Sequence, residues 1–165
     1  MLAMIAFYDI IVLFISFREI GRKNTYLKES KAECIFCPYS PDSKTIAHWN
    51  SIEEVQNGDI IFHECDGSIF AVSEAKGNVY DSERPYPNND GIKDRGRKLD
   101  LSYVWLKSQI DRKSDKFEKL RKDLYESQPE KVAPFDKNGK GNEGYLFYFN
   151  DVCAKLIFNE MLGQR

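Results

Sequence analysis

Four cysteines and two histidines are the residues of this sequence whose types and spacing suggest a metal site. Cys34 and Cys37 form a Cys-x-x-Cys pair, and His63 and Cys65 follow on another element of the chain. Together they would supply the sulfur and nitrogen ligands that structural zinc prefers. However, the sequence has no second Cys-x-x-Cys pair, and cysteine is also common in the apolar core. We therefore expect core cysteines, with no metal and no cofactor.

The residue patterns of nucleophilic catalysis are missing from the sequence. His48 and His63 are its only histidines, no Gly-x-Ser-x-Gly motif is present, and no cysteine lies in a catalytic context. A glycine-rich stretch, "NGKGNEG" at 138–144, lacks the Lys-Ser/Thr of a Walker motif. Exposed backbone N–H groups in such a loop can bind anions. We therefore expect that the protein is not an enzyme. We expect the glycine-rich loop to contact a nucleic-acid backbone.

Charge is unevenly distributed along the chain. The formal net charge is only −2, which excludes a protein that coats nucleic acid through bulk positive charge. Basic residues nevertheless concentrate after the first apolar run, in a turn-rich stretch near residue 95 and in the glycine loop. We predict that they form a cationic rim, the alternative being an ordinary solvated surface. The predicted backbone-binding residues are Arg18, Arg22, Lys23, Lys28, Arg95, Arg97, Lys98 and Lys140.

The first 17 residues are strongly apolar but do not fit a membrane span or a signal peptide. They carry Asp9, they are shorter than the roughly 20 apolar residues of a span, and they lack a basic lead and a cleavage site. We predict a buried strand over Tyr8–Phe17, the alternatives being a short helix or a membrane-associated segment. The expected location is the cytoplasm, without membrane contact.

The elements that must position these residues are mostly strands. Asp66-Gly67 separates "DIIFHEC" from "SIFAVSEA", which predicts a β-hairpin. "ECIFCP", "LDLSYVWL" and "YLFYF" are further predicted strands, and residues 77–98 are expected to form an exposed loop. Helical spacing predicts a helix over Ser114–Glu126, and a closing helix that Asn150 or Asp151 caps. No linker or repeat divides the 165 residues, so we predict one α+β domain over 1–165.

Several stretches, in order, resemble the EVE domains of the PUA-like superfamily. These are "FREIGRKNTYLKESKAECIFCP" at Phe17–Pro38, "HWNSIEEVQNGDIIFH" at His48–His63, "SIFAVSEAKGNVYDSERP" at 68–85 and "APFDKNGKGNEGYLFYF" at Ala133–Phe149. The resemblance covers the chain from about Phe17 to its end. It implies an EVE/YTH-like twisted β-barrel of five to six strands with flanking helices, and a pocket that receives one extruded base.

The resemblance also implies which residues line that pocket. Phe36 stands where many relatives have tryptophan, and Trp49 supplies a second ring. Where relatives carry aromatic residues after the first strand, this chain has Arg18 and Glu19, which would alter the preferred base. The implied base-pocket residues are Asn24, Tyr26, Phe36, Trp49, Ser73, Tyr80 and Ser82.

The resemblance to EVE domains also implies a function, that of a recognition module without catalytic residues. We expect it to bind methylated or hydroxymethylated DNA by base flipping, which costs a few kcal/mol that aromatic stacking offsets. It would be the N-terminal domain of a longer protein and would target a GTPase or nuclease, as in McrB-like or HNH type IV restriction systems. Two alternatives stay open: a modified-RNA reader of the same superfamily, and an enzyme acting on a nucleotide in the same pocket.

Overall fold

The computed structural model describes residues 12–17, 27–39, 51–87, 94–131, 133–142 and 146–163, and for 12–17 it describes the backbone. Asn24, Tyr26, Trp49, Arg18, Arg22 and Lys23 therefore lie outside the described residues, as does most of the apolar start. Within the described ranges, no helix is long and apolar enough to cross a membrane.

Seven strands within the described ranges form one curled sheet. They are β1 Val12–Phe17, β2 Cys34–Pro38, β3 Ile60–Cys65, β4 Ser68–Ala75, β5 Tyr80–Glu83, β6 Arg95–Asp111 and β7 Leu146–Phe149. The strand order is β2-β6-β4-β3-β1-β7, with β5 also paired to β6. All pairs are antiparallel except β1 with β3. The chain is thus α+β, with a mainly antiparallel sheet that forms a half-barrel.

The helices are short and lie mostly late in the chain. They are a helical segment at 27–31, 3-10 turns at Ser51–Glu54 and Asp115–Phe117, and the α-helices α1 Glu118–Ser127 and α2 Asp151–Gly163. Both predicted helices are confirmed. Asn150 caps α2, because its side-chain oxygen accepts the Cys153 N–H at 2.9 Å.

The predicted hairpin is confirmed. β3 and β4 pair through Cys65 and Ser68, with Asp66 and Gly67 between them at φ 52° and 85°. Two successive positive φ values define the tight turn that Asp-Gly favours, and their twist matches that of the flanking strands.

The predicted exposed loop over residues 77–98 is wrong in two places. Residues 80–83 form β5, and β6 begins at Arg95 instead of at Leu99. Here β6 is a central strand, since Arg97 pairs with Cys37 of β2 on one side and with Asp81 of β5 on the other. Gly96 makes this close approach feasible, because a Cβ there would collide with the Cys37 carbonyl.

Alternating side chains of the sheet enter two large apolar cores, and a smaller cluster forms around Phe36. On the helix side, Phe62, Leu124 and Ile157 belong to a core formed by the sheet, α1 and α2. On the opposite side, Ile61 packs in a second core with Ile35 and other apolar residues. The neighbours Ile61 and Phe62 thus face opposite ways. The second face, which we call the inner face, carries the candidate site.

Candidate functional site

Three neighbouring strands place a histidine, a serine and two aromatic residues on the inner face. Ala71 of β4 pairs with His63 of β3 and with Trp105 of β6. Two residues along β4, Ser73 pairs with Tyr103 of β6. Because side chains repeat every second residue along a strand, all four side chains lie on one side of the sheet.

A register shift adds a fifth residue, Phe70, to this group. The pairing of β4 shifts between Ile69 and Ala71 against both neighbouring strands. Ile69 packs in the helix-side core, whereas the Phe70 ring lies 6.0 Å from the His63 ring and 5.6 Å from the Trp105 ring between centroids. Bulges often redirect a side chain in this way next to functional sites. We call His63, Phe70, Ser73, Tyr103 and Trp105 the aromatic cluster.

His63 is the buried centre of the aromatic cluster. Its Nε2 lies 2.6 Å from Oγ of Ser73, and its Nδ1 lies 3.5 Å from the Tyr103 hydroxyl. Burial lowers the pKa of His63 from 6.5 to about 3. The ring is therefore neutral at pH 7, with one nitrogen that donates a hydrogen bond and one that accepts.

The depressed pKa of His63 predicts a loss of stability in acid. The unfolded chain protonates this histidine below pH 6.5 whereas the folded chain does not until about pH 3, so stability is full above pH 6.5 and falls as the pH drops through that window. We expect the free energy of unfolding to fall by about 2 kcal/mol from pH 8 to pH 5 through this residue.

Urea denaturation of the native chain and of His63→Gln at several pH values checks this. The difference between their free energies of unfolding isolates His63 from the other titrating groups. This difference should shrink as the pH falls from 8 to 5. A difference that stays constant over this range would contradict the neutral, buried state of the ring.

Trp105 opens the aromatic cluster to solvent. It is 52% exposed although it lies on the inner face. Its ring stacks on that of Tyr103, with centroids 5.7 Å apart and planes inclined by 21°. A large, flat and accessible aromatic surface backed by a second ring is suited to stacking against another flat molecule, such as a nucleobase.

The close contact of Ser73 with His63 looks like a nucleophile beside its base, but its electrostatics favour another role. A histidine with a pKa near 3 is a weak base at neutral pH. Ser73 and His63 are each only 1% exposed, so no substrate reaches the serine in this conformation. The pair is better suited to holding a fixed hydrogen-bonding pattern behind the aromatic rings.

The four described base-pocket residues do not form one group. Ser73 belongs to the aromatic cluster. Phe36 is buried against Cys34 and Tyr86, with the Arg84 guanidinium 4.8 Å above its ring. Tyr80, in β5, is exposed and donates a hydrogen bond to Asp100 at 3.0 Å, and the Ser82 hydroxyl bonds to the Glu83 carbonyl. Of the four, the structure thus brings only Ser73 to the aromatic cluster.

A buried carboxylate fixes the surroundings of Phe36. Glu29, in the helical segment 27–31, accepts the Phe36 N–H at 3.1 Å and the Tyr86 hydroxyl at 2.9 Å. Burial and the Glu29 charge raise the pKa of Tyr86 far above 10, so its hydroxyl stays a donor. This network ties the helical segment to β2 and to the loop after β5.

Most of the described backbone-binding cations already have partners. Lys28 donates to the Pro87 carbonyl, Arg97 forms an ion pair with Glu53 at 2.7 Å, and Lys98 forms one with Asp100 at 2.7 Å. Arg95 is exposed in β6. Because carboxylates offset two of these charges, the predicted rim is less positive on this side than the sequence suggested.

Tyr80 and Arg97 line an open cavity of about 550 Å³ beside β5. Glu53 and Asp81 line it too, so two carboxylates accompany a single cation. This balance disfavours a phosphate. Lys140 instead lines a second cavity, of about 520 Å³, next to the β3–β4 turn.

The four cysteines are free thiols. No group of three histidine, cysteine, aspartate or glutamate side chains suited to a metal occurs in the part of the chain that the structure describes. Cys34 and Cys37 are buried in β2, and burial is the largest cause of their raised pKa values, about 12 for Cys34. His63 faces Ser73 and Tyr103, so the four possible zinc ligands of the sequence do not form one group here.

The sequence did not predict that the residues of the aromatic cluster lie together. Tyr103 and Trp105 alternate along a predicted strand, and this spacing alone places them on one face. His63 was weighed as a zinc ligand, and Phe70 reaches the cluster only through the bulge.

Comparisons with known proteins give a fold likeness. No protein-family model matches the chain, and no curated protein matches it. The NMR structure of Rpa0253 from Rhodopseudomonas palustris is similar over 94% of each chain, with a TM-score of 0.51 and 12% identity. The likeness shows the fold alone. The crystal structure of Atu2648 from Agrobacterium tumefaciens covers 88% of this chain and 92% of its own, with a TM-score of 0.39 and 9% identity.

Proposed function

We propose that this chain is a nucleic-acid-binding module that recognises a modified base in DNA by base flipping, on a PUA-like fold of the EVE type. The observation that carries the proposal is the exposed Trp105 ring, stacked on Tyr103 and backed by the neutral His63–Ser73 pair. The half-barrel and the ordered sequence motifs that resemble EVE domains support the same function.

The chemistry of the aromatic cluster fits an unstacked base. Extruding a base costs a few kcal/mol, and stacking on an aromatic ring returns about 1–3 kcal/mol. An apolar wall also favours an added methyl group, at about 0.8 kcal/mol for each buried CH₂. The neutral histidine keeps the site uncharged, which suits a neutral base. In this proposal the module is not an enzyme, and it directs an attached or partner GTPase or nuclease.

Fluorescence anisotropy with labelled duplexes tests the proposed function. The set comprises one sequence unmodified, with 5-methylcytosine, with 5-hydroxymethylcytosine and with N6-methyladenine, together with matched RNAs. We expect one modified DNA to bind more tightly than its unmodified form. Tighter binding of a modified RNA would move the assignment to RNA, and equal, negligible binding of every strand at low salt would refute it.

Trp105→Ala should weaken binding of the preferred modified duplex by about 5- to 150-fold, because one stacked base contributes about 1–3 kcal/mol. Tyr125→Ala is the matched control, since Tyr125 is also an exposed aromatic residue but belongs to α1. Anisotropy titrations of both variants measure the effect. Equal affinities of the two variants would remove Trp105 from the site.

A further inference from the structure

A second cluster of charged side chains lines the cavity next to the β3–β4 turn, which we call the hairpin cleft. It is about 520 Å³ in volume and lies between that turn, the region after β6, α1 and the glycine loop. Its cationic side chains are Arg112, Lys113, Arg121 and Lys140, and its carboxylates are Glu64 and Asp66. The cleft thus carries a surplus of two positive charges.

The two carboxylates are already committed to two of the cations. Arg112 forms a buried ion pair with Glu64, and Lys113 forms an exposed pair with Asp66 at 2.6 Å. Arg121 donates to the Ser114 carbonyl at 2.8 Å and to the Arg112 carbonyl, both of which are uncharged acceptors. Neither Arg121 nor Lys140 has an ion pair with a carboxylate of the described ranges. The surplus charge therefore resides on these two side chains.

The glycine loop does not offer the backbone cradle that its sequence suggested. Asp136 accepts the N–H groups of Asn138 and Lys140 through its side chain, at 2.8 and 2.9 Å, and that of Gly139 through its carbonyl at 2.8 Å. These donors are consumed within the loop, so an anion in the cleft must be held mainly by side chains. The loop instead packs closely against the aliphatic part of the Arg121 side chain. A Cβ added at Gly139 would lie only 3.0 Å from the Arg121 Cβ.

We infer that the hairpin cleft binds a phosphate group, with the Arg121 guanidinium and the Lys140 ammonium as its ligands. Hydrogen bonds to two backbone carbonyls and packing against the glycine loop fix the orientation of the Arg121 side chain. A planar guanidinium can donate to two phosphate oxygens at once. A surplus of two positive charges fits a phosphate monoester, which carries about −1.5 to −2 at pH 7, or two successive diester phosphates. A single carboxylate would leave part of this charge unbalanced.

The source of the phosphate is a separate question from the site. Assigning it to a nucleic-acid backbone rests on the proposed function, and it would make the cleft a docking point away from the base-stacking ring. A free phosphate ester, such as a mononucleotide, has the same binding chemistry. The two sources are separated by competition.

Amide resonances of residues 138–142, followed by two-dimensional NMR of the whole chain, test the site directly. Inorganic phosphate should shift them saturably, whereas chloride at equal ionic strength should not. Lys140→Gln should weaken phosphate binding about tenfold, the loss of one charge-assisted hydrogen bond. Lys122→Gln, an exposed lysine of α1 that does not line the cleft, should leave it unchanged.

Arg121→Gln should weaken phosphate binding at least as much. Because Arg121 also donates to two backbone carbonyls, the same NMR spectrum is used to check that Arg121→Gln still folds. If Arg121→Gln does not fold, Lys140→Gln still tests the site. Shifts that chloride reproduces, or that Lys140→Gln leaves unaltered, would overturn the phosphate site.

Competition then identifies the source. An oligonucleotide without a terminal phosphate should displace inorganic phosphate from the cleft if the ligand is a nucleic-acid backbone. Displacement by a 5′-mononucleotide alone would overturn that assignment and leave a free phosphate ester as the ligand. Neither result depends on Trp105, so a failure here and a failure of base recognition are distinguishable.

Discussion

Replacing Arg112 with alanine should lower the free energy of unfolding by about 3–5 kcal/mol, because it leaves a buried carboxylate without its cation. Arg112 and Glu64 are each 2% exposed, and the Arg112 Nε lies 2.5 Å from the carboxylate oxygen. Such a pair is costly to desolvate, and the attraction between its two charges, together with their further contacts, offsets that cost. Removing one partner therefore costs far more than removing an exposed pair.

Arg112 also connects β3 with the glycine loop and with Phe135, which lies just before that loop. Beyond the ion pair with β3, it donates to the Gly139 carbonyl in the glycine loop, and its guanidinium lies 4.3 Å from the centre of the Phe135 ring. Arg112→Ala should therefore also loosen the loop, with faster amide hydrogen exchange at residues 136–141.

Urea denaturation measures the stability of Arg112→Ala, with Lys113→Ala as the matched control. Lys113 is the next residue and also forms an ion pair, but the pair is exposed, so its loss should cost no more than about 1 kcal/mol. Replacing Arg112 by Met and Glu64 by Leu together should recover much of the stability, because no unpaired charge then stays buried. If Arg112→Ala cost no more than Lys113→Ala, the pair would not be buried in solution.

The elements that the sequence predicted well are those set by neighbouring residues. Asp66-Gly67 forms the hairpin because the turn needs two positive φ values, and Pro129 comes after the end of α1 because proline cannot continue a helix. Phe117, Leu120 and Leu124 are buried as their helical spacing indicates. Each of these features depends on a few consecutive side chains.

The candidate site was harder to predict because it depends on pairing between distant strands. His63 and Tyr103 are 40 residues apart, and Arg112 and Glu64 are 48 apart. Only the register of β3, β4 and β6 brings them together, and a one-residue slip would move each to the other face. The Phe70 bulge breaks the alternation from which faces are predicted. Arg97 and Lys98 were predicted to lie in a loop because the residues before them are rich in glycine and proline, whereas the structure places both in β6.

Phe62 lies in the helix-side core, and Phe62→Ala should lower the free energy of unfolding by about 3–5 kcal/mol. Phe62 is fully buried in β3, and its ring lies 5.0 Å from that of Phe158 in α2 and 5.8 Å from that of Phe149 in β7. It thus links the sheet to the closing helix. Its removal loses both the transfer energy of the ring and the contacts of the two rings around the new cavity.

Urea denaturation with Tyr148→Ala as the control separates this cost from the loss of any aromatic residue. Tyr148 lies in β7 beside Phe149 but is exposed, so its removal should change stability by about 0.5 kcal/mol or less. An unchanged urea dependence of the unfolding free energy would show that Phe62→Ala acts on stability rather than on compactness. Similar urea midpoints for the two variants would contradict the packing of α2 on the sheet through Phe62. Only a ring that is buried at that junction makes the loss of Phe62 much more destabilising than the loss of the exposed Tyr148.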